Sequence, residues 1–145
     1  MFDTFHDHLS RQCAVGREKF GPGERTKGVM DHIRKEFDEI EAEETPDGRA
    51  EEWTDVAILG LDGLLRAVRE MLRKQLSKQE VPHGINVDRG GNILGYNGEP
   101  TNDFVAAVAC RMIRQKQAKN ELRDFGNWRD KSEDVAIEHT RGIHD

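Results

Sequence analysis

EEWTDVAILGLDGLLR, residues 51–66, decides how this chain is read. Val56, Ile58, Leu59, Leu61, Leu64 and Leu65 make it a dense apolar helical run, with Trp53 near its start. Yet Glu52, Asp55 and Asp62 fall inside it, on one stripe with Leu59 and Arg66. A matching acidic pair, Glu36 and Glu39, lies upstream in HIRKEFDEIE. Residues three apart on a helix share a face, so each pair can present two carboxylates to one point. Carboxylates in apolar surroundings must be neutralised by protons, cationic side chains or metal ions. Four converging carboxylates favour hard divalent cations such as Mg²⁺ or Mn²⁺. The competing explanation is a solvated acidic face, because Asp38/Glu41 and Glu41/Glu44 show the same spacing in a chain of 28 acidic residues.

A chain of 145 residues is read as a single domain, residues 1–145, with a core of modest size. No run of about 18 apolar residues occurs, and MFDTFHDHLSRQ lacks the basic-then-apolar pattern of a signal segment. The expectation is a cytoplasmic protein (host cytoplasm if phage-encoded), without a membrane partner. Cys13 and Cys110 are far apart, lack metal-ligand spacing and read as small buried side chains. The net charge of −6 argues against nucleic acid as a partner. Charge is unevenly spread: residues 31–55 carry eleven acids and three bases, residues 104–131 seven bases and three acids. That division suits a metal–polyphosphate ligand, and equally a salt-bridged protein surface.

Periodicity predicts a first helix over 3–18, with Phe2, Phe5, Leu9, Cys13 and Ala14 as its apolar stripe. FGPGERT breaks it, and Thr26 is the expected N-cap of a second helix reaching Glu44 that buries Val29, Ile33, Phe37 and Ile40. TPDGR reads as a turn before a third helix from near Ala50 to Gln79, about 45 Å long. Gly60 and Gly63 within it are read as points of close helix approach. Its far end keeps Val68, Leu72 and Leu76 in line, and a second subunit is the expected cover. Residues 80–103 change character, and INVDRGGNILGY reads as a hairpin turning near RGG, a lid or an oligomer contact. A phosphate loop is disfavoured by the lack of GxxxxGK[ST]. The last helix, Asn102 to Arg123, has an apolar stripe of Val105, Val108, Ala109 and Met112 that turns cationic at Lys116, Lys119 and Arg123. The cations are either a polyphosphate face or the basic residues that the helix dipole favours at a C-terminus.

The acid pattern and the basic helix together resemble the MazG-like all-α nucleotide pyrophosphohydrolases, whose hallmark is ExxE, a loop, then ExxD; Glu36, Glu39, Glu52 and Asp55 take those places. FGPGERTKGVMDHIRKEFDEIEAE with EEWTDVAILGLDG, and KNELRDFGNWRD with AIEHTRG, narrow the resemblance to the dATP/dGTP diphosphohydrolase branch. It spans most of the chain except 80–103, which look like a variable insertion. The implied fold is an all-α, MazG-like bundle of about four main helices with a short Gly-rich hairpin, assembled as an interlocked homodimer or homotetramer. The implied reaction is a purine dNTP plus water giving a dNMP plus pyrophosphate. Glu36, Glu39, Glu52 and Asp55 would hold two to three Mg²⁺ or Mn²⁺ ions, Glu39 being a candidate general base.

Lys116 and Arg123 would face the phosphates, and Asn120 would recognise sugar or phosphate oxygens. Asp62 is a candidate acceptor for a deoxyribose hydroxyl or purine amine, or else an ion-pair partner. Trp53 and Trp128 are candidate stacking surfaces, or else core. His32 stands one turn before Glu36, within reach of it, or is an ordinary helix-face residue. His6 and His8 resemble a chelating pair near a terminus. A di-iron carboxylate site would need two ExxH motifs, and the one present, Glu80–His83, is interrupted by Pro82. The competing functions are a pyrimidine (dUTP or dCTP) or broad-specificity pyrophosphohydrolase, and a non-catalytic helical interaction module.

Overall fold

The computed structural model describes residues 4–78 and 84–140, and the Glu80–His83 motif lies outside them. The chain is an all-α bundle of four main helices carrying one small sheet. It divides into two compact units, residues 1–110 and 111–145.

Thr4 caps α1 (Phe5–Phe20): its side chain accepts from the Asp7 amide while Asp7 reaches back to the Thr4 amide. The buried face of α1 is Leu9, Cys13 and Gly16, whereas Phe5 and Ala14, expected on that stripe, are exposed. Arg25, with φ of 52°, opens α2 (Thr26–Ala42), so the expected cap Thr26 is already helical. On α2 the residues turned inward are Val29, Ile33, Glu36 and Ile40; Phe37 remains 46% exposed.

α3 (Pro46–Leu76) begins earlier than expected. Thr45 caps it by accepting from the Gly48 amide, and Pro46 takes the first helical position, where its missing N–H costs nothing. PDGR is therefore a first helical turn. With 31 residues the helix runs about 46 Å. Its C-terminal half is core: Leu65, Val68, Leu72 and Leu76 are all at most 3% exposed. That corrects the expectation of a subunit covering this end, because the chain itself covers it. Exposed apolar residues occur on every helix and on the sheet, and those on α2 and the N-terminal half of α3 include Met30, Phe37, Trp53 and Ile58. Gly63 stands beside Val29, at 3.6 Å from where a Cβ would be, while Gly60 has no neighbour within 4 Å.

The insertion is a three-stranded antiparallel sheet, β1 (Ile85–Val87), β2 (Ile93–Tyr96) and β3 (Glu99–Pro100). The first turn is at RGG as expected, held by Asp88 accepting from the Gly90 and Asn92 amides at 2.8 and 2.9 Å. The second turn, Asn97-Gly98, has φ of 54° and 84°, as a tight hairpin between right-twisted strands requires. Glu99 then ties β3 to α3, accepting from Arg69 Nη1 at 2.9 Å and Arg73 Nε at 2.7 Å. α4 (Asn102–Leu122) adds Val105, Ala106, Val108 and Ala109 to the buried set, whereas Met112 is 38% exposed. Cys13 and Cys110 are both buried free thiols.

In the second unit, the end of α4 leads to a single 3₁₀ turn at Trp128–Asp130. The tail folds back within this unit: the Thr140 amide donates to Asp124 O at 2.6 Å, and Phe125 meets the His139 ring edge-on at 5.8 Å.

One buried cation organises the first unit. Arg66 donates to Asp62 Oδ2 (3.0 Å), Gly16 O (3.0 Å), Gly21 O (2.8 Å) and Gly23 O (2.6 Å), joining the end of α1 and the α1–α2 link to α3. Replacing it with Leu strands three carbonyls and a carboxylate. We expect Arg66→Leu to lower unfolding free energy by about 3–5 kcal/mol, read by urea titration; a loss near zero would show that these bonds contribute little.

Candidate active site

A short link joins α2 to α3, and the two pack against each other, so they form an antiparallel pair. Val29 lies at the level of Gly63, which places Glu36 and Glu39 at the level of Glu52. Each of these three glutamates offers a carboxylate oxygen, and the three oxygens lie within 4.8 Å of one another. Asp55, one turn further along α3, lies outside that group and is exposed, but its charge is felt at Glu36.

Three like charges at this spacing repel, and the backbone does not relieve them. Glu39 is near the C-terminal end of α2, where the helix dipole is negative and no basic residue stands in the last turn. Glu36 is 7% exposed. Glu36 Oε2 and Glu52 Oε2 are buried and, among the described residues, meet no hydrogen-bond donor. The neighbouring Lys35 pairs instead with Asp31 at 3.5 Å. His32 Nε2 approaches Glu36 Oε1 at 3.4 Å, so the helix-face histidine does reach the cluster. The Glu39 carboxyl, burial and the Glu36 carboxyl push Glu52 up from 4.5 to about 7. Glu36 is raised for the same first reasons, its contact with Glu39 and burial. Converging hard oxygens with orphaned lone pairs fit a divalent cation such as Mg²⁺ or Mn²⁺.

Beyond His32 a cavity of about 130 Å³ opens, lined by Phe20, Arg25, Gly28, Val29, His32, Leu59 and Asp62. This was not anticipated as a unit. Its signals in the sequence were Asp62, on the stripe of Glu52 and Asp55, and the arginine that follows the glycine-rich break in FGPGERT. Asp62 forms the ion pair weighed as its alternative role, with Arg66 at 3.0 Å, while also lining the cavity.

Lys116, Asn120, Arg123 and Trp128 belong to the second unit. Lys116 is exposed, and Arg123 Nη1 donates to Asn120 Oδ1 at 2.8 Å. Trp128 is 65% exposed under the Arg129 guanidinium, 4.5 Å from its ring centre, and Trp53 is 55% exposed, so neither is core. His6 and His8 do not converge: His6 bonds Asp103 O at 3.0 Å and His8 bonds Gln12 Oε1 at 3.2 Å.

A protein-family model described as dATP/dGTP pyrophosphohydrolase matches residues 9–86, more than half of the chain. The matched stretch contains both acidic pairs and the whole cavity lining. No curated protein and no solved structure matches the chain.

The raised glutamates make metal-free stability depend on pH in a definite direction. Folded Glu52 titrates near 7 and an unfolded glutamate near 4.5, so the folded state holds the extra proton between them. This contribution is complete below the unfolded value and is lost as pH rises through 7. In EDTA, the wild type should therefore lose Tm between pH 5 and pH 8 relative to Glu52→Gln, whose melt should be flatter. Parallel melting curves for the two proteins across that range would show that folded Glu52 holds no extra proton.

Proposed function

The chain belongs to the dATP/dGTP pyrophosphohydrolase family, and from that premise we propose that it is a metal-dependent diphosphohydrolase converting dATP or dGTP to dAMP or dGMP plus pyrophosphate. The observation that carries the proposal is the group of three glutamate oxygens within 4.8 Å, two of the carboxylates having buried, donorless oxygens. Glu36, Glu39 and Glu52, with Asp55 one turn beyond, would hold two to three Mg²⁺ or Mn²⁺ ions. Bound there, such ions supply Lewis-acid neutralisation of the triphosphate and acidify water.

The rest of the work falls to the protein's own groups. Water adds to the α- or the β-phosphorus and the bridging P–O bond on that phosphorus breaks; the electron pair leaves with pyrophosphate in the first case and with the dNMP in the second, and the products are the same. Glu39, the most exposed of the three glutamates, takes the proton from the attacking water. Glu36 is oriented by His32 at 3.4 Å. In the second unit, Lys116 and Arg123 are the groups suited to phosphate oxygens, Asn120 to sugar or phosphate oxygens, and Trp128 offers a ring face for stacking. Asp62 binds the nucleoside. The half-exposed Phe37 and Trp53 beside the carboxylates are the faces that a homodimer or homotetramer would cover. Among the described residues no helix is long and apolar enough to cross a membrane, and we place the activity in the cytoplasm.

Pyrophosphate release from each common dNTP and NTP, with Mg²⁺, Mn²⁺ or EDTA, tests the reading directly. Release should need metal and be fastest with dGTP or dATP. Glu52→Gln and Asp55→Asn should each lower kcat/KM at least about 100-fold, since several kcal/mol of charge stabilisation is at stake at about 1.4 kcal/mol per tenfold. Both variants should keep their helical circular dichroism. Full activity in EDTA would exclude this mechanism, and silence toward every nucleotide would exclude the activity.

A further inference from the structure

The cavity beyond His32 is one level along the α2–α3 pair from the carboxylates. His32 is one turn before Glu36 on α2, and Leu59 is one turn after Asp55 on α3, about 5.4 Å in each case. A group in the cavity is thus separated from the carboxylates by roughly the reach of a deoxyribose. At about 130 Å³ the cavity far exceeds the space of one water.

Its lining combines an aromatic ring, apolar surface, one anion and one cation. Arg25 lies over the Phe20 ring at 5.7 Å, and among the described residues it has no ion pair. Gly28 leaves room for it, since a Cβ there would come within 3.0 Å of the guanidinium. Asp62 is 13% exposed, and Arg66 Nε holds its Oδ2 at 3.0 Å. That bond uses one of about four acceptor sites of the carboxylate. The other oxygen, Oδ1, lies beside Gly16, 2.9 Å from where a Cβ would stand there, so the carboxylate is held between α1 and Arg66 while it lines the cavity and keeps acceptor sites.

Resting on the diphosphohydrolase reading, we propose that this cavity receives the purine base, and that Asp62 and Arg25 make it a guanine pocket. Guanine presents two donors, N1–H and the N2 amine, to a carboxylate, and two acceptors, O6 and N7, to a guanidinium. Adenine has an acceptor at N1 and an amine in place of O6. It would set acceptor against Asp62 and donor against Arg25; the mismatch at the largely buried Asp62 discriminates strongly, and the exposed Arg25 adds to it.

The experiment measures kcat/KM for dGTP, dITP, dATP and dXTP with Mg²⁺, and calorimetric binding of dGMP and dXMP, in wild type, Asp62→Asn and Arg25→Asn. The wild type should favour dGTP over dITP, which lacks the N2 amine, by about tenfold or more. In Asp62→Asn the amide oxygen can keep Arg66 while the NH₂ faces the base. Preference should then move from dGTP to dXTP, whose carbonyl replaces the amine, and dXMP binding should strengthen. A damaged fold cannot produce that gain. Arg25→Asn suits the left-handed cap position and should lower dGTP turnover about tenfold while sparing dATP. Unchanged dGTP/dATP and dGTP/dXTP ratios in both variants, with hydrolysis intact, would overturn the pocket and leave the hydrolase reading standing. No hydrolysis of any nucleotide by the wild type would overturn both.

Discussion

Everything in the first unit depends on how the chain turns from α1 into α2, and that turn is held by one guanidinium. Arg66 is 5% exposed and gives its hydrogen bonds to carbonyls of Gly16, Gly21 and Gly23 as well as to Asp62. A planar five-donor group is suited to collecting carbonyls that converge from a helix end and a loop. By fixing the link it fixes where α2 starts, and hence which of its residues reach α3. Glu36 and Glu39 meet Glu52 because the turn at residues 21–25 is anchored many residues away.

The carboxylates themselves are an unfavourable arrangement for an isolated protein. Buried oxygens without donors among the described residues, crowded neighbouring carboxyls and a helix C-terminus beside them all oppose charge. Such a feature persists when a ligand compensates it, and a divalent cation with an anionic substrate would do so. The neighbouring cavity extends the same logic from charge to shape, with Asp62 serving the fold through Arg66 and facing the cavity as well.

Much of this was legible in the sequence. Helical spacing put Glu36 with Glu39, and Glu52 with Asp55, on shared faces, the ExxE–loop–ExxD resemblance joined the two pairs, and the four helices followed from their apolar periodicity. What escaped was set by capping and tertiary context. TPDGR carries turn residues, yet Thr45 and Pro46 form a good helix start, so α3 begins four residues early. Asn97-Gly98 is a strong hairpin signal, and with it comes a third strand that the glycine-rich stretch had concealed. Phe37 was expected inside because it is apolar, but the inward place on α2 went to Glu36. Asp55 matched the spacing yet stays outside the close group, since spacing along one helix says nothing of how far its neighbour lies.

α3 carries two tasks that do not overlap. Its C-terminal half is packed in the core, and its N-terminal half bears Glu52 and Asp55 on a surface with little burial. Substitutions near residues 52–59 can therefore alter chemistry with small effects on folding, while those at 65–76 bear on folding first. A helix divided in this way lets new substrate preferences be explored from one end while the other keeps the protein assembled, which is a structural basis for functional drift on a constant scaffold.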